Sequence, residues 1–170
     1  MHEAKVSGRM RRAVSGDQSP RRVHIPPAHI PEEGGAYVLV LRQGRAVLRT
    51  GVGALGVVEF PAGYYCYAGN ARSGLRVRLK RHMARSGKAL HWHIDYLRRR
   101  TALEGLACWP GGAGECGLAE ALADLGGTPV SRFGCSDCRC GSHLYHFCES
   151  PMGLLRSVEL RGACGNVLPR

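Results

Sequence analysis

Residues 64–82, YYCYAGNARSGLRVRLKRH, contain the pattern that decides the fold. The tyrosine-rich first part has the composition of a strand, and Gly69 lets the backbone turn tightly where that strand ends. Leu75, Leu79 and Met83 then recur at helical spacing and form one apolar stripe. The segment therefore predicts a strand, a turn and a helix that packs on a sheet.

The cations of this helix fall into two groups. Arg78 and His82 lie at the edge of the apolar stripe, where a charged side chain loses hydration and is usually paired or functional. A core-edge histidine bonded to a carbonyl is the alternative for His82, and Ser73 is the predicted N-cap. The other cations lie on more exposed faces, where solvated charge is the simplest interpretation: Arg76, Lys80, Arg81 and Arg85.

The rest of the chain supplies further strands and one more helix. AYVLVL (36–41) and AVLRTG (46–51), separated by the polar RQG, predict a β-hairpin. LEGLACW (103–109) and HLYHF (143–147) predict strands, and ECGLAEALADL (115–125) predicts a helix closed by two glycines. The expected fold is an α+β sandwich, with a mostly antiparallel sheet of three core strands flanked by helices.

Composition divides the chain into three parts. Residues 1–33 are basic and rich in Ser, Gly and Pro, which predicts a disordered arm and a linker. Residues 34–149 carry the periodic patterns and form the predicted domain. Residues 150–170 are predicted to be a loose tail.

Charge and cysteine content limit the function classes. Lys and Arg outnumber Asp and Glu by 24 to 13, and the formal charge of +11 favours a polyanionic partner such as nucleic acid. The N-terminal stretch lacks an apolar export core and no apolar run is long enough to span a membrane, so we expect a cytoplasmic protein. In that compartment the eight cysteines are expected to be reduced thiols or metal ligands.

Two short motifs and the helix resemble the GIY-YIG nuclease family. GAY at 35–37 and YAG at 67–69 are similar to its two half-motifs, with Gly35 and Gly69 as the motif glycines. Arg78 and His82 match the Arg-x-x-x-His of the helix that follows in the family. Alanine stands in place of both central isoleucines, and the gap between the half-motifs is longer than the compact family spacing.

Later stretches extend the resemblance over roughly residues 34–148. His91 matches a histidine found in some members, and Glu115 aligns with the family's metal-binding glutamate. HWHIDYL, ECGLAEAL and FGCSDCRCGSHLYHF are similar to a branch of short prokaryotic proteins assigned to that superfamily. The late asparagine of many members has no counterpart, and the corresponding region offers Ser136, Ser142 and His143.

The resemblance implies metal-dependent hydrolysis of nucleic-acid phosphodiester bonds, with DNA favoured over RNA. Glu115 would hold Mg²⁺ or Mn²⁺, and Arg78 would contact the scissile phosphate. Tyr37 would position or deprotonate the attacking water, assisted by Tyr67 and His82. A phenol has an ordinary pKa of about 10, so a basic Tyr37 needs nearby positive charge. The cations expected to grip backbone phosphates are Arg72, Arg76, Lys80, Arg81 and Arg85.

Two other groups of residues could bind metal. HWHID places His91, His93 and Asp95 on one face of an extended segment, although a structural role for His93 and Asp95, with Trp92 in the core, is favoured. CSDCRCGSH provides Cys135, Cys138, Cys140 and His143, a donor set suited to structural Zn²⁺, with packed or exposed thiols as the alternative.

Two further functions stay open at this point. The chain can be a catalytically inactive nucleic-acid-binding module that keeps the fold. It can also be a zinc-stabilised interaction protein.

Overall fold

An antiparallel sheet forms the centre of the molecule. The structure, a computed structural model, describes residues 29–112 and 114–158 and the backbone of residues 166–168. The strands are β1 (Gly35–Gly51), β2 (Val57–Ala71), β3 (Ala102–Pro110), β4 (Thr128–Pro129), β5 (Leu144–Phe147) and β6 (Asn166–Leu168). Their order across the sheet is β4-β5-β2-β1-β3-β6, and all neighbours are antiparallel. The predicted α+β class with a mostly antiparallel sheet is confirmed, and in the described part of the chain the sheet has six strands, compared with the three core strands that the sequence predicts.

Helices cover both faces of this sheet. They are α1 (Leu75–Met83), α2 (His93–Arg98), α3 (Glu115–Asp124) and α4 (Met152–Leu155). One core contains Tyr37, Leu39 and Leu41 of β1 together with buried side chains of α1 and α2. The other core contains the alternate residues of β1 together with side chains of α3 and α4. Since β1 is buried on both faces, its apolar run is continuous rather than alternating.

The predicted hairpin over residues 36–51 is wrong. Those residues form the single strand β1, which pairs along its length with β2 after a turn at residues 52–56. The break that suggests a turn is an irregularity between Gln43 and Val47. Gln43 is 2% exposed, and its Nε2 donates hydrogen bonds to the carbonyls of Arg45 and Phe60, each at 2.8 Å. The polar residue thus fills a bulge inside the strand.

The start of α1 is held by the preceding linker. The sequence predicts Ser73 as the N-cap, but Gly74 occupies that position and no side chain caps the helix. The N–H groups of Leu75 and Arg76 instead donate to the carbonyls of Glu33 and Pro31 at 3.0 and 3.1 Å. Backbone carbonyls of the linker therefore satisfy the free N–H groups that a side chain was expected to cap.

The HWHID segment is helical from His93, whereas the interpretation of a shared metal-binding face requires an extended chain. Asp95, in the third position of α2, accepts hydrogen bonds from the N–H groups of His91 and Trp92, both at 3.1 Å. A carboxylate that reaches back to the N-cap in this way stabilises a helix start. His91, His93 and Asp95 consequently do not form the three-ligand face.

The two ends of the domain differ from the sequence prediction. Most of the predicted arm, residues 1–28, lies outside the described residues, while Ile30 of the linker is buried in the core. In the predicted C-terminal tail, α4 and Val158 pack on the sheet, with Leu155 fully buried. No helix of the described residues is long and apolar enough to cross a membrane.

Candidate active site

A pocket of about 700 Å³ lies where β2 ends and α1 begins. Tyr67, Arg78, His91 and Glu115, which the sequence separates widely, all line it. Tyr67 comes from β2, Arg78 from α1, His91 from the loop before α2, and Glu115 from the first position of α3. Of the five predicted catalytic side chains, three reach the pocket wall, and Tyr37 and His82 do not.

Tyr37 and His82 form a buried layer directly behind Tyr67. Both are 0% exposed, and their ring centroids are 6.0 Å apart. The Tyr67 ring lies 6.5 Å from Tyr37 and 6.4 Å from His82, which completes a triangle of rings. The Tyr37 hydroxyl and the His82 Nε2 atom have no hydrogen-bond partner among the described residues, while His82 Nδ1 lies 3.5 Å from a carboxylate oxygen of Asp95. This triangle therefore holds polar atoms whose hydrogen-bonding capacity is unused.

The motif glycines are explained by close packing. Gly69 lies opposite Tyr37 in the β1–β2 pairing, and a β-carbon there would overlap the Tyr37 ring. A β-carbon on Gly35 would overlap the Trp109 carbonyl oxygen on β3. Each glycine thus leaves space for a group on a neighbouring strand, which a residue with a β-carbon would not do.

Burial opposes ionisation in the triangle. It raises the pKa of Tyr37 to about 12, although the positive charge of Arg78 lowers it. Burial also raises the pKa of Tyr67 and lowers the pKa of His82, which Asp95 partly offsets. Both phenols and the imidazole are therefore neutral near pH 7 in the protein alone, so Tyr37 is not a phenolate base there.

Arg78 is fixed against an aromatic ring. Its guanidinium carbon lies 4.4 Å from the centroid of the Trp92 ring. Trp92 is partly buried against the core and also lines the pocket, so its predicted core position is only part of its role. A guanidinium carbon at this distance from an indole ring makes a cation–π contact, which holds the Arg78 side chain at the pocket wall.

Asp95 is the centre of a buried charge network. Its carboxylate is 0% exposed and lies 2.7 Å from both Arg81 Nη2 and Lys88 Nζ, and 3.5 Å from His82 Nδ1. Burial by itself would raise the pKa of Asp95, but its contacts with His82, Lys88 and two backbone N–H groups outweigh burial and hold that pKa well below its usual range. The network fixes α2 to the end of α1 behind the pocket.

The predicted phosphate-binding cations occupy different places. Arg72 and Arg81 line the pocket, whereas Lys80 and Arg85 are exposed outside it. Arg76 forms an ion pair with Glu32 and donates to the Ile30 carbonyl at 3.1 Å, so it holds the linker. The interpretation of Arg76 as a free phosphate-binding cation is therefore corrected.

A second cluster lies beside the pocket. The donor atoms of Cys116, Cys138, Cys140 and His143 all lie within 4.8 Å of one another, and this group can hold a metal ion such as Zn²⁺. The predicted ligand Cys135 is not a member of the cluster, and Cys116 from the first turn of α3 takes its place. A hydrogen bond with Cys140, followed by burial, raises the pKa of Cys116 to about 12.

Several residues of the site escaped the sequence reasoning. Asn70 and Asp137 line the pocket, and Trp92 supports Arg78. Asn70 follows directly on the YAG motif, which was a usable signal that a polar side chain enters the pocket there. Cys116 gave no such signal, because it lies far from the other cysteines in sequence and is brought to them by α3.

Fold and pocket together define a small α+β domain with one concave, cation-lined site at the end of its central strands. The family model described as Domain of unknown function DUF123 matches residues 36–161, well over half of the chain, and the chain belongs to this family. No curated protein and no solved structure matches the chain significantly.

Proposed function

We propose that the chain is a metal-dependent endonuclease of the GIY-YIG type, which hydrolyses nucleic-acid phosphodiester bonds and favours DNA over RNA. The observation that carries this proposal is the meeting of Tyr67, Arg78 and Glu115 in one pocket, with Tyr37 and His82 behind them. The antiparallel sheet flanked by helices and the positive charge of the chain support the same proposal.

Arg78 is suited to bind the phosphate that is attacked. The contact with Trp92 limits its movement, and Arg78 lines the pocket wall. A planar guanidinium can donate two parallel hydrogen bonds to phosphate oxygens and stabilise the charge that grows on them. Arg72 adds positive charge to the same wall, whereas Arg81 lines the wall but is paired with Asp95.

Glu115 is suited to hold a hard divalent cation. Its side chain is partly exposed at the pocket and has no ion-pair partner among the described residues. One carboxylate, with water and substrate phosphate as the other ligands, matches the preference of Mg²⁺ or Mn²⁺. When bound, such an ion would supply Lewis-acid stabilisation of the phosphate oxygens.

The tyrosines and His82 provide for proton transfer. Tyr67 borders the pocket and can hydrogen-bond a water there, while Tyr37 and His82 lie one ring behind it. His82 is neutral and does not reach the pocket wall, so a proton from the water would reach its imidazole only by way of the Tyr67 hydroxyl, which would give up its own proton as it accepts one. Asp95, 3.5 Å from His82 Nδ1, would then stabilise the resulting charge. Tyr37 then acts as a neutral hydrogen-bonding group.

The test is a cleavage assay on purified protein with labelled duplex DNA, branched DNA, single-stranded DNA and RNA in Mg²⁺ or Mn²⁺. Arg78→Ala and Glu115→Gln are each expected to lower kcat by about a hundredfold or more. Glu120→Gln is the matched control, because Glu120 is exposed on the same helix as Glu115. Cleavage that is equal in all four proteins would come from a contaminant and would contradict the proposal.

The second candidate is an inactive nucleic-acid-binding module of the same fold. The high pKa of Tyr37 favours it, because the buried phenol does not ionise near pH 7 in the protein alone. Binding without cleavage on every substrate and with both metals would establish this alternative. The zinc-stabilised interaction protein rests on the Cys3His cluster, which is compatible with either nucleic-acid function and does not discriminate between them.

A further inference from the structure

The Cys3His cluster joins two separate parts of the chain. Cys116 lies in the first turn of α3, while Cys138, Cys140 and His143 belong to the loop between β4 and β5. The His143 Nε2 atom is 3.4 Å from Cys138 Sγ and 3.8 Å from Cys116 Sγ. All three cysteines are free thiols, so no disulfide accounts for their approach.

These separations match those of a tetrahedral zinc site. Zinc–sulfur bonds of about 2.3 Å and zinc–nitrogen bonds of about 2.1 Å, at the tetrahedral angle, place a sulfur and a nitrogen about 3.6 Å apart. The two measured distances, 3.4 and 3.8 Å, lie on either side of that value. Three soft thiolates and one imidazole select Zn²⁺ over the hard cation proposed at Glu115.

His143 is held firmly in place for this role. It is 1% exposed, its N–H donates to the Phe133 carbonyl at 2.8 Å, and its carbonyl accepts from the Ala68 N–H at 2.9 Å. The first bond closes the base of the β4–β5 loop, and the second fixes that base to β2. The tip of the loop carries Cys138 and Cys140, whose thiols lie within 4.8 Å of the Cys116 thiol on α3.

We propose that Cys116, Cys138, Cys140 and His143 bind one Zn²⁺ ion, which clamps the first turn of α3 to the β4–β5 loop. Glu115 immediately precedes Cys116, and the loop contributes Gly134, Ser136 and Asp137 to the pocket. The ion therefore sets the position of one wall of the pocket. The consequence for Glu115 as a catalytic ligand rests on the proposed nuclease function, whereas zinc binding does not.

Zinc content tests the ligand set. Protein made in zinc-supplied cells and purified without a metal-affinity step is measured by atomic emission, and about one zinc per chain is expected for a single four-ligand site. Cys116→Ser is expected to lose the bound zinc. Cys135→Ser is the matched control, since Cys135 lies in the same loop but outside the cluster, and it is expected to retain the metal.

Two results of this measurement overturn the proposal. One is wild-type protein that contains no zinc. The other is loss of zinc from Cys135→Ser with retention in Cys116→Ser, which would assign the site to the four ligands that are close together in sequence.

A second measurement covers the case in which Cys116→Ser does not fold. Wild-type protein in which Co²⁺ replaces the bound metal is expected to show thiolate-to-cobalt charge transfer and the intense visible bands of tetrahedral cobalt. A weak octahedral spectrum without charge transfer would exclude a Cys3His site.

Hydrogen exchange tests the clamp independently of cleavage. Removal of zinc is expected to speed exchange of the amides of residues 116–119 in α3, with α1 unchanged as the internal control. Unchanged exchange in α3 after zinc loss would overturn the clamp. Absence of cleavage would contradict the proposed nuclease function, but it would not change the expected zinc content or the expected hydrogen exchange.

Discussion

The ring of Tyr37 lies against the α-carbon of Gly69, its partner across the β1–β2 pairing, at a distance that leaves no space for a β-carbon. This contact joins the two half-motifs that the sequence places far apart. It also fixes the position of the Tyr37 ring behind the pocket, because the ring is confined between β2 and His82.

Gly69→Ala is expected to displace the Tyr37 ring and to lower the free energy of unfolding by about 1–3 kcal/mol, as overpacking of a closed core does. Gly51→Ala is the control, because Gly51 is also in β1–β2 and has open space where its β-carbon would lie. Its effect should stay within about 0.5 kcal/mol. Urea denaturation measures both, and equal effects would contradict the packing argument.

Tyr37→Phe is expected to leave stability unchanged or slightly raised. The Tyr37 hydroxyl is buried and has no hydrogen-bond partner among the described residues, so its removal ends a desolvation cost. Tyr65→Phe is the matched control, since the buried Tyr65 donates to the Pro61 carbonyl at 2.7 Å, and it should lose about 1 kcal/mol. If Tyr37→Phe is the more destabilised variant in urea denaturation, the hydroxyl has a structural partner after all.

Asp95→Asn is expected to cost about 3 kcal/mol near pH 7, because it leaves Arg81 and Lys88 without their buried anion. The folded pKa of Asp95 lies below its unfolded value of about 3.9, so its stabilisation is complete above that value and declines as pH falls through and below it. The difference between wild type and variant should therefore shrink from about pH 5 to about pH 3.

Unfolding free energies of both proteins across this range provide the measurement. Glu59→Gln, which breaks the exposed ion pair with Arg49, should change stability by less than about 1 kcal/mol. A difference for Asp95→Asn that stays constant with pH would show that the carboxylate acts by shape and not by charge.

Arg72→Ala is expected to weaken binding of a short DNA duplex and to lower the salt dependence of the binding constant by about 0.9 in slope if the guanidinium neutralises one phosphate. Arg45→Ala is the control, because Arg45 is exposed on β1, has no ion-pair partner among the described residues and does not line the pocket, so the slope should stay unchanged. Fluorescence anisotropy at several salt concentrations measures both. Equal slopes for the two variants would indicate binding by net charge alone.

The spacing of apolar residues along the sequence predicted most helices and strands, because the same residues form the faces that pack into the two cores. Leu75 and Leu79 are fully buried on α1, and the alternate faces of β1 and the stripe of α3 enter the two cores. The failures arose where a side chain bonds to distant backbone. The sequence around Gln43 predicts a turn, but the Gln43 side-chain amide donates a hydrogen bond to the Phe60 carbonyl and the strand continues. Asp95 was considered as part of an extended segment, but its carboxylate accepts hydrogen bonds from two backbone N–H groups at the start of a helix.

The candidate site divides in the same way. Tyr67, Arg78 and Glu115 were selected through the resemblance to motifs, and the structure places all three around one pocket. Cys116 was missed, since sequence spacing favoured Cys135, and only the approach of α3 to the loop reveals the exchange. A ligand set that spans two elements has no local spacing to detect.

The anchoring of the linker by Arg76 has a practical consequence. Ile30 is seated in the core and Glu32 packs beneath Gly74, a residue of the pocket rim. The chain therefore enters the domain beside the pocket rim. Residues 1–28, which precede this point in the sequence, carry six cations: Lys5, Arg9, Arg11, Arg12, Arg21 and Arg22. Because these cations are joined covalently to the anchored linker, their effective concentration for a polyanion bound at the pocket is set by the length of chain that separates them from Ile30.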